Sequence, residues 1–115
     1  MSVVCVKVAD IRPQYQNLKE WCEDPNNVYI GRRGVVFVDK LRYPPQNSPW
    51  ANPYKISKEI SREKCIILYR AHLEELLTDN ETLDEFKSLK GKTLGCWCRP
   101  DACHGDVILE MLEQY

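Results

Sequence analysis

Residues 96–106 read Cys-Trp-Cys-Arg-Pro-Asp-Ala-Cys-His-Gly-Asp, and no other stretch limits the fold so strongly. They hold three of the six cysteines, one of the two histidines, an arginine and two aspartates. Ionisable side chains cost free energy to bury unless each is paired, so this run must lie at an edge between regular elements. On its amino side, residues 93–98 have the apolar pattern of a strand, and on its carboxyl side residues 107–112 continue as an amphipathic helix. Pro100 ends the strand, and the helix is expected to begin near Cys103. Two thiols then sit at the carboxyl end of a strand, with Cys103, His104 and Asp106 at a helix amino terminus. Side chains two apart on a strand share a face, so Cys96 and Cys98 should point the same way as Leu94, with Trp97 opposite.

The remaining chain supplies partners for this unit. Residues 3–8 are rich in valine and read as a buried strand. A short helix over residues 17–22 should end at the turn signal Asp24-Pro25-Asn26-Asn27. Residues 28–30 read as a second strand running into Gly31-Arg32-Arg33-Gly34, and the apolar run 35–38 would return as a hairpin across that turn. Four of the seven prolines fall within residues 41–54, which should form an irregular loop. Residues 57–77 carry the clearest helical pattern. Thr82 and Glu85 match a capping box opening a short helix through Leu89. The fold class expected is α/β over residues 1–115: a small three-layer or two-layer Rossmann-like domain with a mixed, partly parallel sheet.

The charge balance narrows the partners. A net charge of -1 gives no domain-wide basic footprint for duplex nucleic acid. No apolar run approaches the roughly 18–20 residues that cross a bilayer, so no membrane partner is expected. Residues 1–8 lack the pattern of a signal peptide, which predicts a cytoplasmic protein with cysteines kept as thiols. Cys5 and Cys65 sit in apolar runs and should pack as small hydrophobes. Cys22 could be packed or exposed.

Four chemistries compete for the cluster. The carboxyl edge of an open α/β sheet is where ligands bind, and a helix amino terminus would lower the pKa of Cys103 and attract an anion. Zinc would take Cys96, Cys98, Cys103 and His104, although Cys-x-Cys followed by Cys-His is tighter than the usual zinc knuckle. Thiol catalysis would use Cys103 or Cys98 as nucleophile, His104 as base and Asp106 or Asp101 as orienter. A redox pair would join Cys103 to Cys96 or Cys98, because two cysteines on one extended strand are too far apart to bond easily. The fourth possibility is packing, with His104 and Asp106 serving the helix end. The residues alone leave all four open.

Two further segments look ready to converge on this edge. Tyr29, Gly31 and Arg32 follow a strand, where an arginine beside glycines suits a phosphate or carboxylate. Ser48, Trp50 and Asn52 belong to the proline-rich loop, and Trp50 could stack on a base or staple the loop to the core. Residues 29–32, 48–54, the Tyr69-Arg70 pair and residues 96–106 together resemble the family catalogued as domain of unknown function 4326. Ala51 stands where that family more often has glycine. The resemblance implies a stand-alone α/β domain in which Arg32, Asn52, Cys96, Cys98, Cys103, His104 and Asp106 form one shared feature, and it implies no established activity.

The reading favoured is a Cys/His-dependent transferase or hydrolase, or a binding protein, for a nucleotide-like or other small anionic metabolite. Cys98, Cys103, His104 and Asp106 are the candidate chemical residues. Tyr29, Gly31, Arg32, Ser48, Trp50, Asn52 and Arg99 are the candidate ligand contacts. The alternatives are a zinc-stabilised adaptor module and a single-strand nucleic-acid binder using Trp50, Trp97, Arg32, Arg33 and Arg99. The neutral net charge favours the last of these least.

Overall fold

The computed structural model describes residues 2–97 and 103–115. In chain order, β1 (Ser2–Cys5) leads to two short helices, α1 (Val8–Ile11) and α2 (Leu18–Glu23), and then to β2 (Asn27–Tyr29). A hairpin follows, formed by β3 (Val36–Val38) and β4 (Leu41–Tyr43). The chain continues through α3 (Arg62–Leu76), α4 (Asn80–Lys87), β5 (Thr93–Cys96) and α5 (His104–Leu112). The last strand takes the middle of the main sheet, whose order is β1-β5-β2. Both of its neighbours run parallel to it, with Thr93 opposite Ser2 on one side and Asn27 on the other. All three strands therefore end at one edge.

Alternation along the strands buries two cores. Val3, Val28, Ile30, Leu94 and Cys96 face a core built with α3, α4 and α5, including Tyr69, Leu73, Phe86 and Ile108. Val4, Tyr29 and Trp97 face a smaller one, formed around Val6, Ile11, Leu18 and Trp21, with Val36 and Tyr43 of the hairpin packed on it. Elements on both faces make three layers, the α/β class expected with a partly parallel sheet, although the antiparallel pair β3-β4 forms a separate sheet. No helix among the described residues is long and apolar enough to cross a membrane.

Several local expectations are corrected. The hairpin does not span residues 31–34. It turns at Asp39 and Lys40, whose φ values of 52° and 68° make the two-residue turn that suits twisted strands. The Gly34 N–H instead bonds the Pro44 carbonyl at 2.9 Å, closing the hairpin's base. Residues 41–43 are consequently strand, not loop. The long helix starts at Arg62, because residues 57–60 close on themselves as a turn, with Ser57 N–H donating to the Ile60 carbonyl. Ser61 then caps it by accepting from Lys64 N–H at 3.1 Å. In α4 the cap is Asp79, which accepts from both the N–H and the hydroxyl of Thr82 (3.0 and 2.8 Å). A carboxylate at the positive end of the helix displaces the threonine expected there.

Candidate functional site

A cleft of about 500 Å³ opens at the carboxyl edge of the parallel sheet, within the usual size range of small-molecule sites. Cys96, Cys103 and His104 line it, together with Cys65 of α3 and the loop after Asn52. Three cations, Arg32, Lys55 and Arg62, also line it, and no carboxylate does so among the described residues. Val35, Ile56, Ile66 and Trp97 make much of the rest apolar.

The thiols are held by the start of α5. Cys103 is the cap residue: its Sγ accepts from Gly105 N–H at 3.3 Å, while Asp106 accepts from Cys103 N–H at 3.0 Å. Gly105 lets this turn press onto the sheet, since a Cβ there would stand 2.9 Å from both Val3 methyls. That close approach sets Cys103 Sγ 3.4 Å from Cys96 Sγ, and both residues are buried. Neither is disulfide-bonded.

His104 is oriented by backbone. Its Nε2 lies 2.7 Å from the Ile30 carbonyl. A carbonyl only accepts, so Nε2 carries the proton and, in the neutral ring, Nδ1 is the acceptor. The Tyr69 ring packs edge-on at 4.9 Å. Tyr69 donates its hydroxyl to the Trp50 carbonyl at 2.7 Å, and burial followed by nearby Cys103 raises its pKa. Asp106 serves the helix cap, and the Ile30 carbonyl takes the orienting place at Nε2.

Arg32 fastens the proline-rich loop to the sheet edge. Its Nε and Nη2 donate to the Asn52 carbonyl at 3.1 and 2.8 Å, and Nη2 also donates to the Tyr54 carbonyl at 2.9 Å. Nη1 finds no acceptor among the described residues, so part of the guanidinium charge remains for the cleft. Tyr29 locks the turn from below by donating to the Arg32 carbonyl and accepting from Trp97 Nε1, each at 2.8 Å. Burial pushes its hydroxyl up to about 12, against the lowering effect of the Trp97 bond. Residue 31 has to be glycine, because a Cβ would stand 2.4 Å from the Tyr29 oxygen.

The structure thus brings Gly31, Arg32, Asn52, Cys96, Cys103 and His104 to one cleft. Asn52 accepts from Tyr54 N–H and reaches the Cys65 carbonyl, shaping the loop with its side chain. Tyr29, Ser48 and Trp50 support the cleft from outside it. Ser48 N–H bonds the Gly31 carbonyl at 3.1 Å and its hydroxyl accepts from Trp50 N–H. Trp50 is core, only 4% exposed with its ring edge on Phe86, and presents no face to a base. Cys98, Arg99 and Asp101 lie outside the described residues. The Cys3His zinc set is therefore only partly in view, and no group of three or more metal-ligating side chains converges among the described residues. Lys55, Arg62 and Cys65 were missed as site residues. The first follows the Asn-Pro-Tyr loop directly, a positional hint, whereas the other two look like ordinary helix positions in sequence.

The family model of a domain of unknown function (DUF4326) matches residues 14–114. The uncharacterized 12.4 kDa protein in the nrdA-td intergenic region of Enterobacteria phage T4 is 34% identical to this chain over 55 residues. That alignment covers 47% of the chain and 51% of the phage protein, so the chain spans about half the length of this relative. No solved structure matches. Since the family match takes in the arginine turn, the proline-rich loop and both ends of the thiol-bearing segment, the chain belongs to the DUF4326 family.

Proposed function

We propose that the cleft binds a small anionic metabolite with an apolar or aromatic part, nucleotide-like in size and charge, and that Cys103 is the group that reacts with it. One observation carries this reading: three cations and no described carboxylate line a cleft whose other walls are largely apolar. In a partly enclosed site, a cationic lining attracts anions strongly, and Arg32 and Lys55 are the charges this reading uses. Arg32 contributes Nη1, held in place because Nε and Nη2 are already bonded to the loop. Lys55 contributes a second, exposed charge. Cys103 Sγ receives an N–H bond at the positive end of α5, which favours negative charge on sulfur. His104, fixed as the Nε2-protonated tautomer by Ile30, is the nearby proton carrier. A reducing, cytoplasmic setting suits five described cysteines that are all thiols.

Calorimetric titration with nucleoside monophosphates, the matching nucleosides and inorganic phosphate tests this. The monophosphates are expected to bind at least about tenfold tighter than the nucleosides, the value of a good charge-assisted contact. Lys55→Gln should remove most of that margin. Equal affinities for nucleoside and nucleotide, or no effect of Lys55→Gln, would overturn the reading.

A further inference from the structure

Cys96 and Cys103 stand on different elements, the end of β5 and the cap of α5, yet their sulfurs are 3.4 Å apart on the wall of one cleft. We propose that they form a dithiol–disulfide exchange pair acting on small anionic disulfides, with Cys103 as the attacking sulfur and Cys96 as the resolving one. The preference for anionic substrates rests on the cleft reading above; the pairing rests on the sulfur geometry alone. Closing 3.4 Å to a bond of about 2.0 Å needs a shift smaller than ordinary side-chain adjustment. Cys5, Cys22 and Cys65 have no second sulfur within hydrogen-bond reach among the described residues.

The roles follow from what each sulfur touches. Gly105 N–H points at Cys103 Sγ, so charge on that sulfur is stabilised and Cys96 is the natural S–H donor across the pair. In the first step the Cys103 thiolate attacks one sulfur of the substrate disulfide. A mixed disulfide forms, the substrate S–S bond breaks, and one substrate thiolate leaves. That thiolate takes the proton of Cys96. The Cys96 thiolate then attacks Cys103 Sγ, forms the internal disulfide and expels the second substrate thiolate, which is protonated by solvent. The protein dithiol gives up two electrons and the substrate disulfide accepts them, yielding two thiols. Arg32 and Lys55 at the cleft favour an anionic disulfide over a cationic one.

The experiment exposes the reduced 115-residue chain to glutathione disulfide or to cationic cystamine, quenches by alkylation and maps the linked peptides. The wild-type chain is expected to yield the Cys96–Cys103 disulfide at least about tenfold faster with glutathione disulfide. In Cys96→Ser, the mixed disulfide should accumulate on Cys103. The wild-type map needs no variant and decides the pairing alone. Cys103 linked to Cys98 or Cys5, or modification confined to Cys22, would overturn the pair. Equal rates with the two reagents would overturn only the anionic preference. Nucleotide titration of the same preparation separates failure of the pair from failure of the cleft.

Discussion

On one face of the β1-β5-β2 sheet, Leu94 and Ile30 disappear beneath three helices, in a core that also takes in Tyr69, Phe86, Cys96 and Cys103. On the opposite face, Trp21 lies over Gly95 in a smaller core. There only Val6, Ile11 and Leu18 join it as buried residues, and the rest of the cover, including Tyr29, Val36 and Tyr43, is partly exposed. The neighbouring hairpin leaves Phe37 and Leu41 exposed. The cleft thiols, Cys96 and Cys103, stand on the thick side. Holding an imidazole on a backbone carbonyl and two sulfurs in contact requires rigid neighbours on every flank, which only a well-covered face provides. The thin side serves differently: Tyr29 and Trp97 fix the strand ends from which the arginine turn departs.

This asymmetry can be broken most directly in the core. Leu94→Ala is expected to cost about 3–5 kcal/mol and Leu18→Ala about 2–3, because the thinner core collapses more readily around a void. Urea denaturation of both variants measures this, and equal losses would contradict the contrast. Gly95→Ala should cost about 1–3 kcal/mol by driving a methyl into Trp21 and Val6. Its effect is expected as a changed tryptophan fluorescence together with lowered Tm, while an unshifted Tm would show the thin face to be slack. Arg32→Lys removes the two-pronged grip on Asn52 and Tyr54, and a loss of about 1–2 kcal/mol should accompany loosening of the loop, read by proteolysis between residues 48 and 56.

The smallest effects are in pH dependence, and they belong to the thin face. The Tyr29 hydroxyl is raised by burial to about 12, so its contribution is full below the ordinary tyrosine value and is lost as pH rises towards 12. Tyr29→Phe should flatten that alkaline limb in stability measurements. Asp24 is lowered, chiefly by the Tyr15 hydroxyl, so it favours folding above the usual carboxylate range and ceases to do so as pH falls through its lowered value. Asp24→Asn should remove part of the acid limb.

What could be read from the chain was local. The valine-rich first strand, the short helix after Asn17 and the strand and helix flanking the cysteine cluster follow from periodicity and caps within a few residues. Even so, β1 ends at Cys5 where strand was expected to residue 8, and Val8 opens α1 instead. The start of α4 moved from the expected Thr82 to Asp79, because a local motif does not tell which nearby acceptor takes the first free N–H groups. The type of turn at Asp39-Lys40 was hidden, since neither residue is glycine and the positive φ values are imposed by strand pairing.

The site divides along the same line. The sequence by itself determined that thiols, an imidazole and an arginine turn gather at the carboxyl ends of strands, since composition and alternation place them there. Only the tertiary structure decided which of them share the cleft and what holds each in place. Ile30 and His104 lie 74 positions apart, Arg32 and Asn52 20, and Tyr69 and Trp50 19. Each of those contacts fixes how a candidate side chain is held. Such contacts depend on β5 entering between β1 and β2, a pairing of distant segments that no local pattern encodes.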